Sequence, residues 1–272
     1  MKKYVAILLA LVICVGTLSF QATATAEASG TFGRLSWALD AEGTLTISGE
    51  GDMDSLDPSE AWREYRDDIK TVVIKDGVTS IGSFAFEYCH SLKSISIPNS
   101  VTMIGDDVFY SCTSLASITI PDSVTSIGWE VFINTAYYNN KSNWENGALY
   151  IDNWLIAVDN DSEGEFTIKA GTKSIGGSAF RDCALLTSIN IPNSLTSIGY
   201  NAFKNCSSLK SIAIPDSVTS IGWNAFYHCT SLASITIPDS VTSIGKYAFD
   251  GCSSLASITI PNSITHISYG LF

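Results

Sequence analysis

The segment Ile-Pro-Asp-Ser-Val-Thr-Ser-Ile-Gly stands unchanged at 120–128, 214–222 and 237–245, and close variants bring the number of copies to eight. The isoleucine that closes each copy sets the period. Ile81, Ile104 and Ile127 are 23 residues apart, and Ile175, Ile198, Ile221, Ile244 and Ile267 resume the same step after a gap of 48. A fixed period in the low twenties specifies a solenoid. Each unit is too short to bury its own apolar face, so a core forms only where neighbouring coils stack. Function is then expected on solenoid surfaces and not in a deep pocket.

One unit, 92–114, shows how a coil is written. Leu92, Ile95, Ile97, Val101, Ile104, Val108 and Phe109 are the inward positions. The run Ser94-Ile95-Ser96-Ile97 has the strand period of two, and Pro98 ends it because proline brings no donor to the ladder. The stretch from Gly105 to Cys112 is expected to turn back as a short helix or 3₁₀ segment. Stacking then gives a parallel sheet on one face and short helical turns on the other.

Residues 27–68 lack the repeat. Leu35 to Leu39 and Thr44 to Ser48 alternate apolar and polar positions around a glycine-containing turn, the pattern of a β-hairpin. Asp57-Pro58-Ser59-Glu60 then places a carboxylate at an N-cap, proline first in the helix and glutamate third, the opening of a short helix that carries Trp62, Tyr65 and Ile69. Hairpin and helix are expected to cap the first coil, since an open solenoid end would expose core and strand edge. Repeats follow over 69–137. Thr135 then stands where cysteine is expected and Tyr138 where leucine is, and roughly 25 additional residues, 138–162, intervene before the repeats resume over 163–272. Within them, 149–158 reads as a hairpin with a two-residue Asp152-Asn153 loop. Such insertions lie on one face of a solenoid, as a binding face or as tolerated decoration.

The N-terminus begins Met-Lys-Lys, continues as an apolar run from Tyr4 to Phe20 and ends in small residues up to Ala26. This is the form of a secretory signal peptide, 1–26, with cleavage near Ala26. A retained anchor helix is the rival reading. A lipoprotein leader is not supported, because Cys14 follows Ile13 where a small residue is needed. The formal charge is −12, and loss of Lys2 and Lys3 makes it more negative. Nucleic acid and anionic membranes are therefore poor partners.

The candidate chemistry is sparse. Cys89, Cys112, Cys183, Cys206, Cys229 and Cys252 all fall three residues after the core phenylalanine. That shared slot reads as a buried free thiol better than as a disulfide, since equivalent side chains in stacked coils point in parallel. Zinc ligands would need paired short spacings, which are missing. His90, His228 and His266 form no nucleophile–base arrangement. Asp159, Asp161, Glu163 and Gly164 copy the first half of a calcium loop, but Ala170 stands where the bidentate glutamate belongs. The Asp52, Asp54 and Asp57 cluster reads as a solvated helix entrance. No catalytic residue, metal site or cofactor is expected.

Two surfaces remain. One strand face presents Ser94, Ser117, Ser188, Ser211, Ser234 and Ser257 in a column, small, polar and uncharged. It could take a partner broadly or order water, but it has no aromatic or arginine anchor. The turn side holds Trp129, Tyr200, Trp223 and Tyr269 after the Ile-Gly pair or its equivalent, with Tyr110 and Tyr227 after the core phenylalanine. Exposed aromatics in a contiguous patch mark contact surfaces, although they also cover gaps between turns. Trp129, Tyr200, Trp223 and Tyr227 are the candidate partner contacts, with Trp223 and Tyr227 expected four apart on one helical turn.

Strand, proline, Ile-Gly-x-x-Ala-Phe-x-x-Cys-x-x-Leu at 23 residues resembles the BspA-like class of bacterial leucine-rich repeats, from about Ile69 to Phe272. The segment 43–49 and Trp62 also resemble the cap that often precedes such repeats. The resemblance implies a leucine-rich repeat solenoid of about eight units, and a secreted or surface-displayed protein that binds other proteins or host surfaces. The expectation is a non-catalytic extracellular binding or adhesion module for proteins or glycans. A structural cell-envelope protein is the alternative, and a hydrolytic enzyme the third reading. The final unit stops at its core phenylalanine, so Leu255, Ile258, Ile260, Ile264 and Ile267 are expected to line an open end. Further chain, or self-association with a second copy, would cover it.

Overall fold

The computed structural model describes residues 26–53 and 59–272. The leader expected at 1–26 falls, but for Ala26, outside the described residues, as do Asp54 and the Asp57-Pro58 helix entrance. Each regular coil contributes two strand segments and one run of turns. The first segment is the Ser-Ile-x strand: Ser211–Ala213 lies parallel to Ser234–Thr236, with Ile212 opposite Ile235. The second is the Ser-Ile pair before glycine, and Ser174–Ile175, Ser197–Ile198, Ser220–Ile221 and Ser243–Ile244 stack in strict register. In both, isoleucine faces the core and its neighbours face out, as the period of two requires.

The third column is not helical. The peptides expected to form a short helix or 3₁₀ turn run instead as consecutive turns whose alternate N–H groups bond the next coil. Ser178, Phe180 and Asp182 donate to the carbonyls of Tyr200, Ala202 and Lys204 at 2.7–2.8 Å, while Arg181 and Cys183 close tight turns onto Ser178 and Phe180. This alternation needs left-handed residues at two places per coil, Ser178 and Asp182 here, Asn201 and Asn205 in the next. Asparagine and aspartate tolerate that conformation better than other side chains. Inter-coil pairing satisfies peptides that an isolated helical turn would leave open at both ends.

Between these columns the phenylalanines stack. Phe180, Phe203, Phe226 and Phe249 form a ladder with ring centroids 4.9–5.5 Å apart and planes within 16°. Phe86, Phe109 and Phe132 form a second one. Trp62 is its first rung, stacked on Phe86 at 5.7 Å and donating its indole N–H to Ala85 O at 2.7 Å. Trp62 reaches that position from the short helix Ser59–Trp62.

Strands β1 (Ala26–Phe32), β2 (Leu35–Asp40) and β3 (Thr44–Gly49) form an antiparallel meander. Asp40 Oδ1 accepts the N–H groups of Glu42 and Thr44 and so fixes the β2–β3 turn. Strand β3 then runs parallel to β4 (Thr71–Ile74), the first repeat strand, with Leu45 opposite Val72 and Ile47 opposite Ile74. The meander therefore extends the first sheet column and supplies Leu45 and Ile47 to the core.

The additional residues divide the solenoid core. A short helix, Ala136–Asn139, follows the third coil, and Thr135 is its N-cap, accepting from Tyr138 N. Thr135 fills the cysteine slot, buried and with its N–H on Phe132 O as that of Cys112 is on Phe109 O, but its hydroxyl donates to the carbonyl of its own coil's Phe132. Trp144–Glu145, Ala148–Ile151 and Trp154–Val158 then make a three-stranded meander. Its last strand lies parallel to Ser174–Ile175 and so begins the second stack of Ser-Ile strands. Trp154 and Ile156 pack into the N-terminal core, and Leu155 and Val158 into the C-terminal one. At the hairpin tip, Asp152 Oδ2 accepts Ile120 N at 2.8 Å, satisfying a peptide of the third coil's extended segment, which forms no strand.

Candidate functional site

The site follows from the glycine of each Ile-Gly pair. Coils approach so closely there that a Cβ on Gly222 would lie 2.6 Å from the carbonyl carbon of Gly199. The chain must therefore present its next side chain outward, at the rim of a groove of about 900 Å³ that runs along the Thr-Ser-Ile-Gly column from Ile81 to Gly245. Tyr200 and Trp223 occupy that rim in adjacent coils, with ring centroids 5.5 Å apart and planes tilted by 33°. Trp223 is 46% exposed, and the Lys246 ammonium stands 5.2 Å from its ring. The position between Trp129 and Tyr200 is Gly177, which leaves a gap in the aromatic row.

The four candidate contacts do not form one patch. Trp129 is half-buried; its N–H is held by Asp106 Oδ1 at 3.0 Å, and its backbone bridges to Gly177 across the junction of the two stacks. Tyr227 lies on the turn ridge, its ring stacked on His228 at 4.2 Å with Lys204 5.2 Å above it. The expected helical relation between Trp223 and Tyr227 fails because the segment is not a helix. The structure pairs Tyr200 with Trp223 and leaves the other two apart.

Threonine and serine hydroxyls line the groove beside the isoleucines and glycines of the Ile-Gly pairs. Thr125, Thr196 and Thr219 donate their protons to the carbonyl one coil earlier, at 2.9–3.3 Å, and Ser174 bonds Ser197 through their hydroxyls. Asp122, Asp152 and Lys173 line the groove on adjoining segments near its middle, where Asn153 donates to Asp122 Oδ1 and Lys173 N to Asn153 O. Sequence reasoning singled out the other serine column and missed this groove. The signal was the Thr-Ser that precedes Ile-Gly in five coils, at 79–82, 125–128, 196–199, 219–222 and 242–245, and recurs on the same strand column.

The thiols face the core. Cys112, Cys206, Cys229 and Cys252 each donate to the carbonyl of the preceding coil's core phenylalanine at 3.1 Å. Burial raises Cys89, Cys183 and Cys252 to about 12. Cys206 is raised by its hydrogen bond with Cys229 and by burial. Cys229 points to Phe203 O while His228 stacks at the surface, so the sequence-adjacent pair diverges. On the ridge, Asp107 is pushed up to about 6, chiefly by burial and then by Glu130, Glu87 and Asp106. Asp159 pairs with Lys141 at 3.1 Å.

A solenoid of 23-residue coils with an inward leucine and isoleucine framework defines a leucine-rich repeat protein. The chain belongs to the BspA type leucine rich repeat family, whose sequence model matches in six copies at residues 59–155 and 159–272. Among solved structures it is similar to a leucine-rich repeat protein from Eubacterium ventriosum, at 23% identity over 86% of this chain and 91% of that one, with a TM-score of 0.37. It is also similar to a leucine rich cell surface protein from Faecalibacterium prausnitzii, at 22% identity over 86% and 95%, TM-score 0.36. The pneumococcal vaccine antigen PcpA matches at 16% identity over 87% and 82%, TM-score 0.43. No curated protein matches. Among the described residues no helix is long and apolar enough to cross a membrane.

Proposed function

We propose that the protein is a non-catalytic binding module that acts outside the cell, holding a macromolecular partner in the groove along its Thr-Ser-Ile-Gly strands. Family membership supports a protein-binding surface module, and the leader-like N-terminus supports export. The observation that carries the reading is the Tyr200–Trp223 pair, whose rings stand together at the groove rim with Trp223 half exposed. Aromatic side chains of this kind dominate interface energies. A second contact, self-association, would use the terminal coil, where Ile267, Tyr269 and Phe272 are 60–78% exposed.

The test is surface plasmon resonance of the purified protein against immobilised extracellular-matrix proteins and mucin. At least one surface should bind, and the Tyr200→Ala/Trp223→Ala double variant should bind it at least tenfold more weakly. Unchanged affinity in that variant would place the site elsewhere. Failure on every surface together with tight association to isolated cell walls would favour a structural role in the envelope.

A further inference from the structure

We infer that the occupant of this groove is a neutral glycan, an inference that rests on the groove reading above and narrows it to a chemical class. The lining hydroxyls set the hydrogen-bonding sense. Thr125, Thr196 and Thr219 spend their protons on the carbonyls of the preceding coil and keep only acceptor capacity, while Ser126, Ser220 and Ser243 beside them carry hydroxyls that can donate or accept. A matching partner brings groups of both senses, in a row that repeats with the coils. The hydroxyls of a sugar chain do this.

Charge narrows the choice. An anionic chain would meet a protein of net charge −12 and the carboxylates of Asp122 and Asp152 in the groove itself. A cationic peptide would compete with lysines already in place, since Lys246 stands over the Trp223 ring and Lys173 lines the floor. An apolar peptide needs holes for its side chains, and the floor offers closely packed Ser, Thr and Gly. Tyr200 and Trp223 supply instead an aromatic rim, with Trp223 46% exposed, against which the apolar face of a sugar ring can lie while its hydroxyls reach the threonine row.

The experiment is isothermal titration calorimetry of the intact protein with neutral hexose and N-acetylhexosamine oligosaccharides of four to eight units, each beside its sialylated or sulfated counterpart. We expect saturable binding of a neutral oligosaccharide, with affinity at least tenfold lower in Trp223→Ala and at least threefold lower in Thr219→Val, which keeps the side-chain shape and removes the acceptor. Thermal melting of both variants checks that they are folded. Binding of acidic oligosaccharides alone, or of none, overturns the glycan assignment. If a protein partner then binds and Trp223→Ala abolishes that binding, the groove stands and only its occupant was wrong. A glycan whose affinity is unmoved by both variants overturns the groove as its site.

Discussion

Asp107 shows how a single residue can work against its own coil. It stands at a left-handed position, φ 53°, where Asn201 and Asn224 serve in later coils, and it is 7% exposed among Glu130, Glu87 and Asp106. Its carboxyl is raised from 3.8 to about 6, so the folded protein holds this proton more tightly than the unfolded chain. The favourable contribution is complete below the unfolded value and is lost as pH rises through about 6. Asp107→Asn should raise stability at pH 7 by roughly 2 kcal/mol at most and flatten the fall in stability between pH 4 and 6. Urea melts of both proteins at several pH values measure it, and equal pH profiles would contradict it. The thiols give a second residue-scale expectation. Reaction requires thiolate, and the six cysteines among the described residues are buried and free. Iodoacetamide should leave native protein prepared without residues 1–26 unlabelled at pH 8 and add six groups after unfolding, whereas fewer than six would reveal disulfides.

At the scale of elements, the strands were legible and the turns were not. Alternating Ser-Ile-Ser-Ile, ended by proline, specifies a strand through side-chain period alone. The run from Gly105 to Cys112 has no such period, and its conformation is set by the N–H groups of Phe109 and Ser111 reaching the coil beyond. That acceptor lies 22 residues away, out of view of local pattern; the only local trace is asparagine recurring at 134, 201, 205 and 224. The inserted hairpin was legible from Asp152-Asn153, but its role as a wedge between two cores was not. The bond from Ile120 N to Asp152 Oδ2 makes a test. Asp152→Ala leaves a part-buried donor unpaired at a left-handed residue and should cost about 1–3 kcal/mol. Asp152→Asn, which keeps an acceptor and tolerates the conformation, should recover most of it in thermal melts. Equal losses in the two variants would show that the bond from the hairpin tip to Ile120 N does not hold the third coil.

The whole molecule is two phenylalanine ladders joined by that wedge, with one groove crossing the junction. Period, coil count and family were all readable from sequence, because repetition makes each coil restate the fold. The candidate site was half readable. Tyr200 and Trp223 announced themselves as large side chains after Ile-Gly, but the groove beside them depends on how coils curve, a property of the stack and not of any unit. Trp129 follows Ile-Gly as Tyr200 and Trp223 do but lies at the junction of the two stacks, and Tyr227, after the core phenylalanine, lies on the turn ridge. The central claim, that the protein works by holding a partner in this groove, is tested most directly by hydroxyl-radical footprinting with and without the surface-bound partner. Tyr200, Trp223 and the groove-lining Met103, itself 40% exposed, should lose reactivity on binding, while Phe84 and Tyr88 on the turn ridge keep theirs. Protection of Phe84 and Tyr88 with Tyr200, Trp223 and Met103 unchanged would contradict the account.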